Sequence, residues 1–184
     1  MDSTARWDNN LIDTGKTLQF FFDACSAAGP NGTCPLYEPT PSAVRTRVNN
    51  ILTSLASKPV PVRNTTSYAV VDFSAAKLAL FASLYKPFDT FPRIATALAA
   101  LEKGDASLLS AFSPPPQLKC TGCGNDESRE RFEYAGDLSA GTAIRCSDGE
   151  KVNDSDEELR QHYERLAKVS EFADGWAGVR IACA

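Results

Sequence analysis

The amino-acid sequence predicts a mainly α-helical domain stapled by disulfides, with at least four helices and one or two short strands. Four segments show apolar residues at helical spacing, each bounded by start and stop signals. The chain also has six cysteines, an even number that suits disulfide pairing. Since 43% of its 184 residues are apolar, it is long enough to bury a sizeable core. We therefore expect a single helical domain over residues 1–184.

The first predicted helix ends at Gly29-Pro30, which is a strong stop signal. Asp13 or Thr14 is placed to cap its start. Its apolar positions follow helical spacing, and they are Leu18, Phe21, Phe22, Cys25 and Ala28. One cysteine lies in the last turn and Cys34 lies just past the stop, so a bond between them would make a rigid corner. We expect the other helices to pack around this one.

A second helix begins at Thr40-Pro41, with proline in its first turn. Its apolar stripe is the most regular in the chain and consists of Val44, Val48, Ile51, Leu52 and Leu55. Proline restricts its own backbone and that of the residue before it, so Val60-Pro61-Val62 is expected to be extended. The segment Tyr68–Val71 is predicted to be a short strand.

Two further helices follow. Asp72 or Ser74 would cap the third, which ends at Pro87 and whose predicted inward residues are Leu78, Phe81 and Leu84. Thr90 would cap the fourth, with Pro92 in its first turn and a buried stripe of Ile94, Leu98 and Leu101. Gly104 fits a left-handed helix stop. One or two more helical turns are predicted over 107–112.

The remaining chain is less regular. Residues 113–141 are polar and rich in glycine, and we predict a long irregular loop there within the domain. Short strands are predicted at Thr142–Cys146 and at Val179–Cys183 near the end. Between them, Asp154 or Ser155 would cap a last long helix that runs to about Phe172. Its predicted inward residues are Leu159, Tyr163, Leu166 and Val169.

Cysteine content and glycosylation motifs indicate an oxidising, extracellular compartment. Three Asn-x-Ser/Thr motifs make Asn31, Asn64 and Asn153 predicted glycosylation sites. The polar start at Met1 has no signal-peptide core. We therefore expect an excised piece of a longer secreted protein, or a truncated gene start.

Whole-chain properties argue against several partners and cofactors. A formal charge of −4 and the lack of a basic patch argue against nucleic-acid binding. No apolar run reaches the roughly 20 residues of a membrane span, so no membrane contact is expected. No glycine-rich phosphate loop is present, and we expect no cofactor.

The sequence offers no complete catalytic centre, and we predict no catalytic residues. The nearest match to the Gly-x-Ser-x-Gly nucleophile motif surrounds Ser139, but it has one residue too many before the serine. The single histidine, His162, is interpreted as a surface or boundary residue at the margin of an apolar stripe. Asp148 is interpreted as a turn residue. The acidic residues at 154–158 complement a helix dipole and need no ligand.

Cys120 and Cys123 have the spacing of a zinc knuckle or a redox pair. A zinc site needs four ligands, and the other cysteines are distant in sequence. A redox pair should open a helix after a strand, whereas this pair follows three prolines. A structural disulfide or two unpaired thiols is the favoured interpretation over metal or redox chemistry, and we predict no metal.

An ordered set of short motifs resembles the lid region of secreted tripeptidyl-aminopeptidase-like α/β-hydrolases. The motifs span nearly the whole chain and lie in segments 21–34, 71–74, 84–92, 101–105 and 143–149, together with Cys183. The resemblance implies that the catalytic serine precedes this chain in a parent protein, and that the acid and histidine follow it. The lid would cover the active site, shape the peptide-binding pocket and limit access to small substrates.

The resemblance also implies partners and disulfides. The partner would be the α/β-hydrolase body of the same parent protein, and a short peptide substrate would bind through that parent. Together with local spacing, the resemblance favours the pairs Cys25–Cys34 and Cys146–Cys183, whereas Cys120 and Cys123 do not belong to the pattern. The alternatives are a stand-alone secreted helical binding protein and an enzyme with unrecognised chemistry.

Overall fold

The computed structural model describes residues 8–63, 68–110, 112, 136–147 and 152–183. These residues form eight α-helices and one two-stranded sheet, so the fold is mainly helical, as predicted. In chain order the elements are α1 Thr14–Ala27, α2 Pro41–Ser57, β1 Val60–Arg63, β2 Tyr68–Val71, α3 Phe73–Ser83, α4 Pro87–Glu102, α5 Ser107–Ser110, α6 Gly136–Ser147, α7 Asp156–Ala167 and α8 Ala173–Ile181. A 3₁₀ turn, Asn9–Leu11, precedes α1.

The chain divides into two compact units. The N-terminal unit is Asp13–Pro115, and the C-terminal unit combines Met1–Ile12 with Pro116–Ala184. In the N-terminal unit α4 contacts α1, α2, α3 and α5, so α4 rather than α1 is the helix around which the others pack. Its predicted stripe of Ile94, Leu98 and Leu101 is buried.

Helix α2 forms as the sequence predicts. The Thr40 hydroxyl accepts a hydrogen bond from the Ala43 backbone N–H at 3.2 Å, which satisfies one of the free donors of the first turn. Pro41 occupies the first turn, where no N–H is needed. All five residues of the predicted stripe are buried.

The sheet is a hairpin of the two predicted extended segments. Its antiparallel register places Val60 opposite Val71 and Pro61 opposite Val70. Proline is tolerated here because each strand of a two-stranded sheet has a free edge. The strand leads directly to Asp72, whose carboxylate accepts a hydrogen bond from the Ala75 N–H at 2.8 Å and caps α3.

The predicted buried face of α3 is wrong. Leu78 is exposed, and the buried residues are Ala76, Ala79, Leu80 and Ser83. Because α3 is apolar on nearly all sides, spacing alone does not choose its inward face. Its small residues face inward, where they allow a close approach of neighbouring helices.

The junction between α3 and α4 also differs from the prediction. Helix α3 ends at Ser83, and Pro87 begins α4 instead of only stopping α3. Thr90 is therefore inside α4, where its hydroxyl donates to backbone carbonyls of Ser83 and Lys86, at 2.6 and 2.7 Å. Proline suits a first helical turn, which favours this earlier start. Gly104 ends α4 with φ +88, and α5 follows, both as predicted.

The C-terminal unit corrects the two strands predicted near the end. Thr142–Cys146 lies in α6, and Val179–Ile181 lies in α8. The predicted loop 113–141 is also wrong over 136–141, which is helical, while 113–135 lies outside the described residues. Short apolar runs carry no periodicity that distinguishes a strand from a helix, so these segments were ambiguous.

Helix α7 begins where predicted and ends earlier. Ser155 and Glu158 form a reciprocal capping box, since each side chain bonds the other's backbone N–H. The helix ends at Ala167, and Tyr163 and Val169 are exposed, contrary to the prediction. The buried face instead follows His162 and Leu166, which are four residues apart.

Gly32 is required by a close approach of two backbone segments. A Cβ at this position would lie 1.9 Å from the Ala28 carbonyl oxygen, whereas a Cβ at Gly15 in α1 would meet nothing within 4 Å. We expect Gly32→Ala to lower the free energy of unfolding by about 1–3 kcal/mol, as other strained substitutions do. Gly15→Ala, the matched control, should be neutral or stabilising. Thermal unfolding of both variants tests this, and equal stability of the two would contradict it.

Candidate functional site

His162 lies in a buried polar cluster rather than at the surface, which corrects the interpretation from sequence. Its side chain is 4% exposed, and its Nε2 lies 3.6 Å from a carboxylate oxygen of Asp8. Asp8 belongs to the segment that precedes the 3₁₀ turn, so this contact joins both ends of the C-terminal unit. The only signal in the sequence was the helical spacing of His162 with Leu166.

A bidentate ion pair completes the cluster. Arg180 of α8 donates from Nε and Nη2 to the two carboxylate oxygens of Asp154, with the Nη2–Oδ1 distance at 3.0 Å. Both side chains are largely buried. The hydrogen bond from Arg180 lowers the pKa of Asp154, and the nearby positive charges act in the same direction. The pair ties the start of α7 to α8, a function that sequence spacing did not reveal.

Burial is the main cause that lowers the pKa of His162 from its ordinary value of 6.5. The Asp8 and Asp154 carboxylates oppose this shift, whereas the Arg180 and Arg165 guanidinium groups reinforce it. The imidazole is therefore neutral at pH 7.

The pKa of His162 predicts how stability depends on pH. Between pH 6.5 and the lower pKa of the folded state, the unfolded chain binds the proton more readily. The free energy of unfolding should therefore fall as the pH drops through this window, with a slope of at most about 1.4 kcal/mol per pH unit. Urea unfolding at pH 7.0, 6.0 and 5.0 measures it.

His162→Gln is the control, because His162 is the only histidine in the chain. This variant should lose the pH-dependent slope between pH 6.5 and 5. A direct NMR titration of the imidazole provides the second measurement. A histidine pKa above 6.5, or a chain that becomes more stable as the pH falls from 7, would contradict the prediction.

The His162–Asp8 pair has the chemistry of a general base and its orienting carboxylate. Catalysis would also need a hydroxyl or thiol nucleophile beside the imidazole, and no such contact is formed within the described part of the chain. Ser139 lies in α6, and Asp148 lies outside the described residues. Because the imidazole is neutral and its Nε2 lies 3.6 Å from the Asp8 carboxylate, beyond hydrogen-bond distance, the contact packs α7 against the segment before the 3₁₀ turn without an ion pair.

A second polar cluster lines an open groove of about 690 Å³ in the N-terminal unit. Arg47 of α2 donates to both carboxylate oxygens of Glu102, at 3.1 and 2.7 Å, and to Glu38 at 3.4 Å. The hydrogen bond from Arg47 lowers the pKa of Glu102. Since the guanidinium is already held by two carboxylates, it serves to join α2, α4 and the loop before α2.

The structure contains the two disulfides favoured above, Cys25–Cys34 and Cys146–Cys183, each with a Cα–Cα distance of 5.2 Å. Cys120 and Cys123 lie outside the described residues. Of the glycosylation motifs, Asn31 and Asn153 are exposed, and Asn64 lies outside the described residues. Within the described ranges, no group of three or more His, Cys, Asp and Glu side chains is arranged to hold a metal ion.

The N-terminal unit exposes four large apolar side chains, here together called the aromatic surface: Phe20, Leu78, Tyr85 and Phe88. Phe88 is 85% exposed, Tyr85 64%, Leu78 51% and Phe20 49%. The Phe20 and Phe88 rings meet edge to face at 6.4 Å, and the Phe81 and Tyr85 rings do so at 5.6 Å. This surface was not predicted from the sequence, because helical spacing placed Leu78 on the buried face of its helix.

Comparison with known proteins finds no matching family model, no matching curated protein and no matching solved structure. No helix among the described residues is both long and apolar enough to cross a membrane.

Proposed function

We propose that this chain is the lid region of a secreted α/β-hydrolase-type serine peptidase resembling tripeptidyl aminopeptidases. It would cover the active site and shape the peptide-binding pocket, without being catalytic by itself. The parent would cleave short peptides from a free N-terminus by acyl transfer through a serine, a histidine and an aspartate. The parent's hydrolase body would be the direct partner of this chain.

The observation that carries the proposal is the ordered resemblance along the chain. Several of its motif positions lie where the fold turns: Gly29 at φ +74, Asp72 as the cap of α3, Pro87 at the start of α4, and Gly104 at φ +88. These four residues end, cap or begin helices. The resemblance therefore includes residues that determine how the helices are connected.

Two further features support a lid over an independent enzyme. The fold is helical and disulfide-bonded, which is compatible with an oxidising compartment. The described residues present an aromatic surface, but they bring no nucleophile to His162. A protein that acts by covering another surface needs an exposed apolar surface, but it does not need a nucleophile beside a histidine.

Flanking sequence and activity together test the proposal. We expect the adjacent coding DNA to encode a Gly-x-Ser-x-Gly segment upstream and an aspartate and a histidine downstream. The longer polypeptide should release fluorophore from tripeptide substrates with a free N-terminus, whereas this chain alone should give only background. If the flanking DNA instead encodes a signal peptide directly before this chain and a stop codon directly after it, the stand-alone binding protein is favoured.

Two substitutions distinguish turnover by this chain from turnover by a contaminating enzyme. If this chain alone does turn over substrate, Ser139→Ala and His162→Gln show whether its own residues are responsible. Loss of that turnover in either variant would overturn the lid proposal and identify an enzyme with its own reaction centre.

A further inference from the structure

We propose that Asn31 is a site of spontaneous deamidation and that the Cys25–Cys34 disulfide controls its reactivity. While the disulfide is closed, the residue remains asparagine. When the disulfide is open, Asn31 is converted to aspartate and isoaspartate. This inference goes beyond the proposed function and does not depend on it, because it concerns a reaction of this chain with water alone.

The chemistry begins with Asn31-Gly32, the only asparagine–glycine pair in the sequence. The backbone nitrogen of Gly32 attacks the side-chain Cγ of Asn31, a five-membered succinimide ring forms, and the amide nitrogen leaves as ammonia. Water then opens the ring at either carbonyl carbon, which gives aspartate or isoaspartate. One water is consumed and one ammonia is released, so the reaction needs no oxidant or reductant. Glycine favours the attack because it has no Cβ to hinder the approach of its nitrogen.

A β-turn over residues 29–32 involves both reacting groups. The Gly32 N–H donates a hydrogen bond to the Gly29 carbonyl at 3.1 Å, and Pro30 occupies the second position of the turn. No non-glycine residue in the described ranges has a positive φ. Because a type II turn needs a positive φ at its third residue, here Asn31, the turn is type I.

The type I geometry holds the attacking nitrogen away from its target. The third residue of such a turn has a ψ of about 0°, which rotates the Gly32 nitrogen by roughly 120° from the Cβ of Asn31. Ring closure needs this nitrogen and the Cβ to be nearly eclipsed. The turn must therefore open, and the Gly32 N–H must leave its hydrogen bond, before the reaction can start.

The disulfide keeps this turn closed. Cys25 is buried in α1 and Cys34 follows the turn, with their Cα atoms 5.2 Å apart. Asn31, Gly32 and Thr33 are all exposed, so water reaches the turn, and a single hydrogen bond at such a surface opens easily. An external dithiol opens the disulfide by thiol–disulfide exchange, which leaves two cysteine thiols and an oxidised dithiol. Without the covalent closure, the turn is free to adopt the reactive geometry.

Deamidation changes the corner permanently. Isoaspartate inserts a methylene group into the backbone next to Gly32, which lies so close to the Ala28 carbonyl that even a Cβ has no room there. Both products add a negative charge and remove the amide of the predicted glycosylation motif at Asn31. The modified residue thus records that the disulfide was open.

Peptide mapping by mass spectrometry at neutral pH measures the conversion of Asn31 over time. The reference is the linear peptide Gly-Pro-Asn-Gly-Thr, which has the same local sequence without the disulfide. We expect Asn31 in the oxidised chain to react about tenfold more slowly than this peptide, because it reacts only from the opened turn. Asn50 of α2, which precedes Ile51, is the internal control and should stay unmodified.

Opening the disulfide tests its control of the reaction. Dithiothreitol, or the double substitution Cys25→Ser/Cys34→Ser, should raise the rate at Asn31 about fivefold or more, towards that of the peptide. Leu98→Ala is the matched control, because it opens a cavity in the core of the same unit and leaves the disulfide intact. The rate at Asn31 in this variant should equal that of the unaltered chain.

Three outcomes would overturn the inference. Equal rates in the oxidised chain and in the linear peptide would show that the turn does not protect Asn31. An unchanged rate after the disulfide is opened would show that the rest of the corner protects the residue without it. Equal acceleration by Leu98→Ala would assign control of the reaction to unfolding of the whole unit rather than to the disulfide.

Discussion

Replacing Phe21 with alanine is expected to lower the free energy of unfolding by about 3–5 kcal/mol, the range for a buried phenylalanine. Phe21 is 2% exposed in α1, and its ring meets Phe91 of α4 edge to face at 5.1 Å and Phe22 at 5.6 Å. The substitution therefore leaves a cavity between two helices and removes an aromatic contact. Urea unfolding followed by circular dichroism measures the loss.

Phe88→Ala is the matched control, because Phe88 is a phenylalanine of the same unit that lies almost fully in solvent. In the isolated chain its removal should change the free energy of unfolding by no more than about 0.5 kcal/mol. A similar loss for both variants would show that Phe88 is buried in solution. A negligible loss for Phe21→Ala would show that the contact between α1 and α4 is not formed.

Local signals in the sequence were enough to predict much of the N-terminal unit. Thr40-Pro41, Asp72 and Gly104 act within one helical turn of their own position, so their effects follow from short-range chemistry. The buried stripe of α2 was predictable for the same reason, because only one of its faces is apolar. Helix α3 shows where prediction from local patterns fails. It is apolar on two faces, and only its tertiary contacts determine which of them is buried.

The His162 cluster could not be predicted from the sequence, because the residues that form it are distant from one another along the chain. Asp8 lies at the other end of the chain and Arg180 lies in another helix, and no periodic pattern connects them. Spacing placed His162 beside Leu166, but histidine is intermediate in its tendency to be buried, so that position alone did not decide its exposure. The aromatic surface was missed for a related reason, since apolar residues at helical spacing were all assigned to the core.

Removing the Cys146–Cys183 disulfide is expected to have the second large effect. It joins residues separated by 37 positions, and the chain-entropy model assigns about 4 kcal/mol to a loop of that size. The bond ties α6 to the residue that follows the C-terminal cap of α8. No side chain at 141–147 is buried, and a 12-residue helix is only marginally stable without packing. We therefore expect Cys146→Ser/Cys183→Ser to unfold α6 before the rest of its unit.

Hydrogen exchange resolved to single residues distinguishes this local effect from global loss of stability. In the double variant, the amides of 141–147 should lose their protection, while those of α7 remain protected by the capping box and the Asp154–Arg180 pair. Cys25→Ser/Cys34→Ser is the control, because its disulfide closes a separation of nine residues and the same model assigns it about 2.5 kcal/mol. Cys25 is buried within α1, so that variant should weaken the N-terminal unit without exposing α6. Unchanged protection of α6 without its disulfide would mean that contacts with α8 alone hold the helix in place.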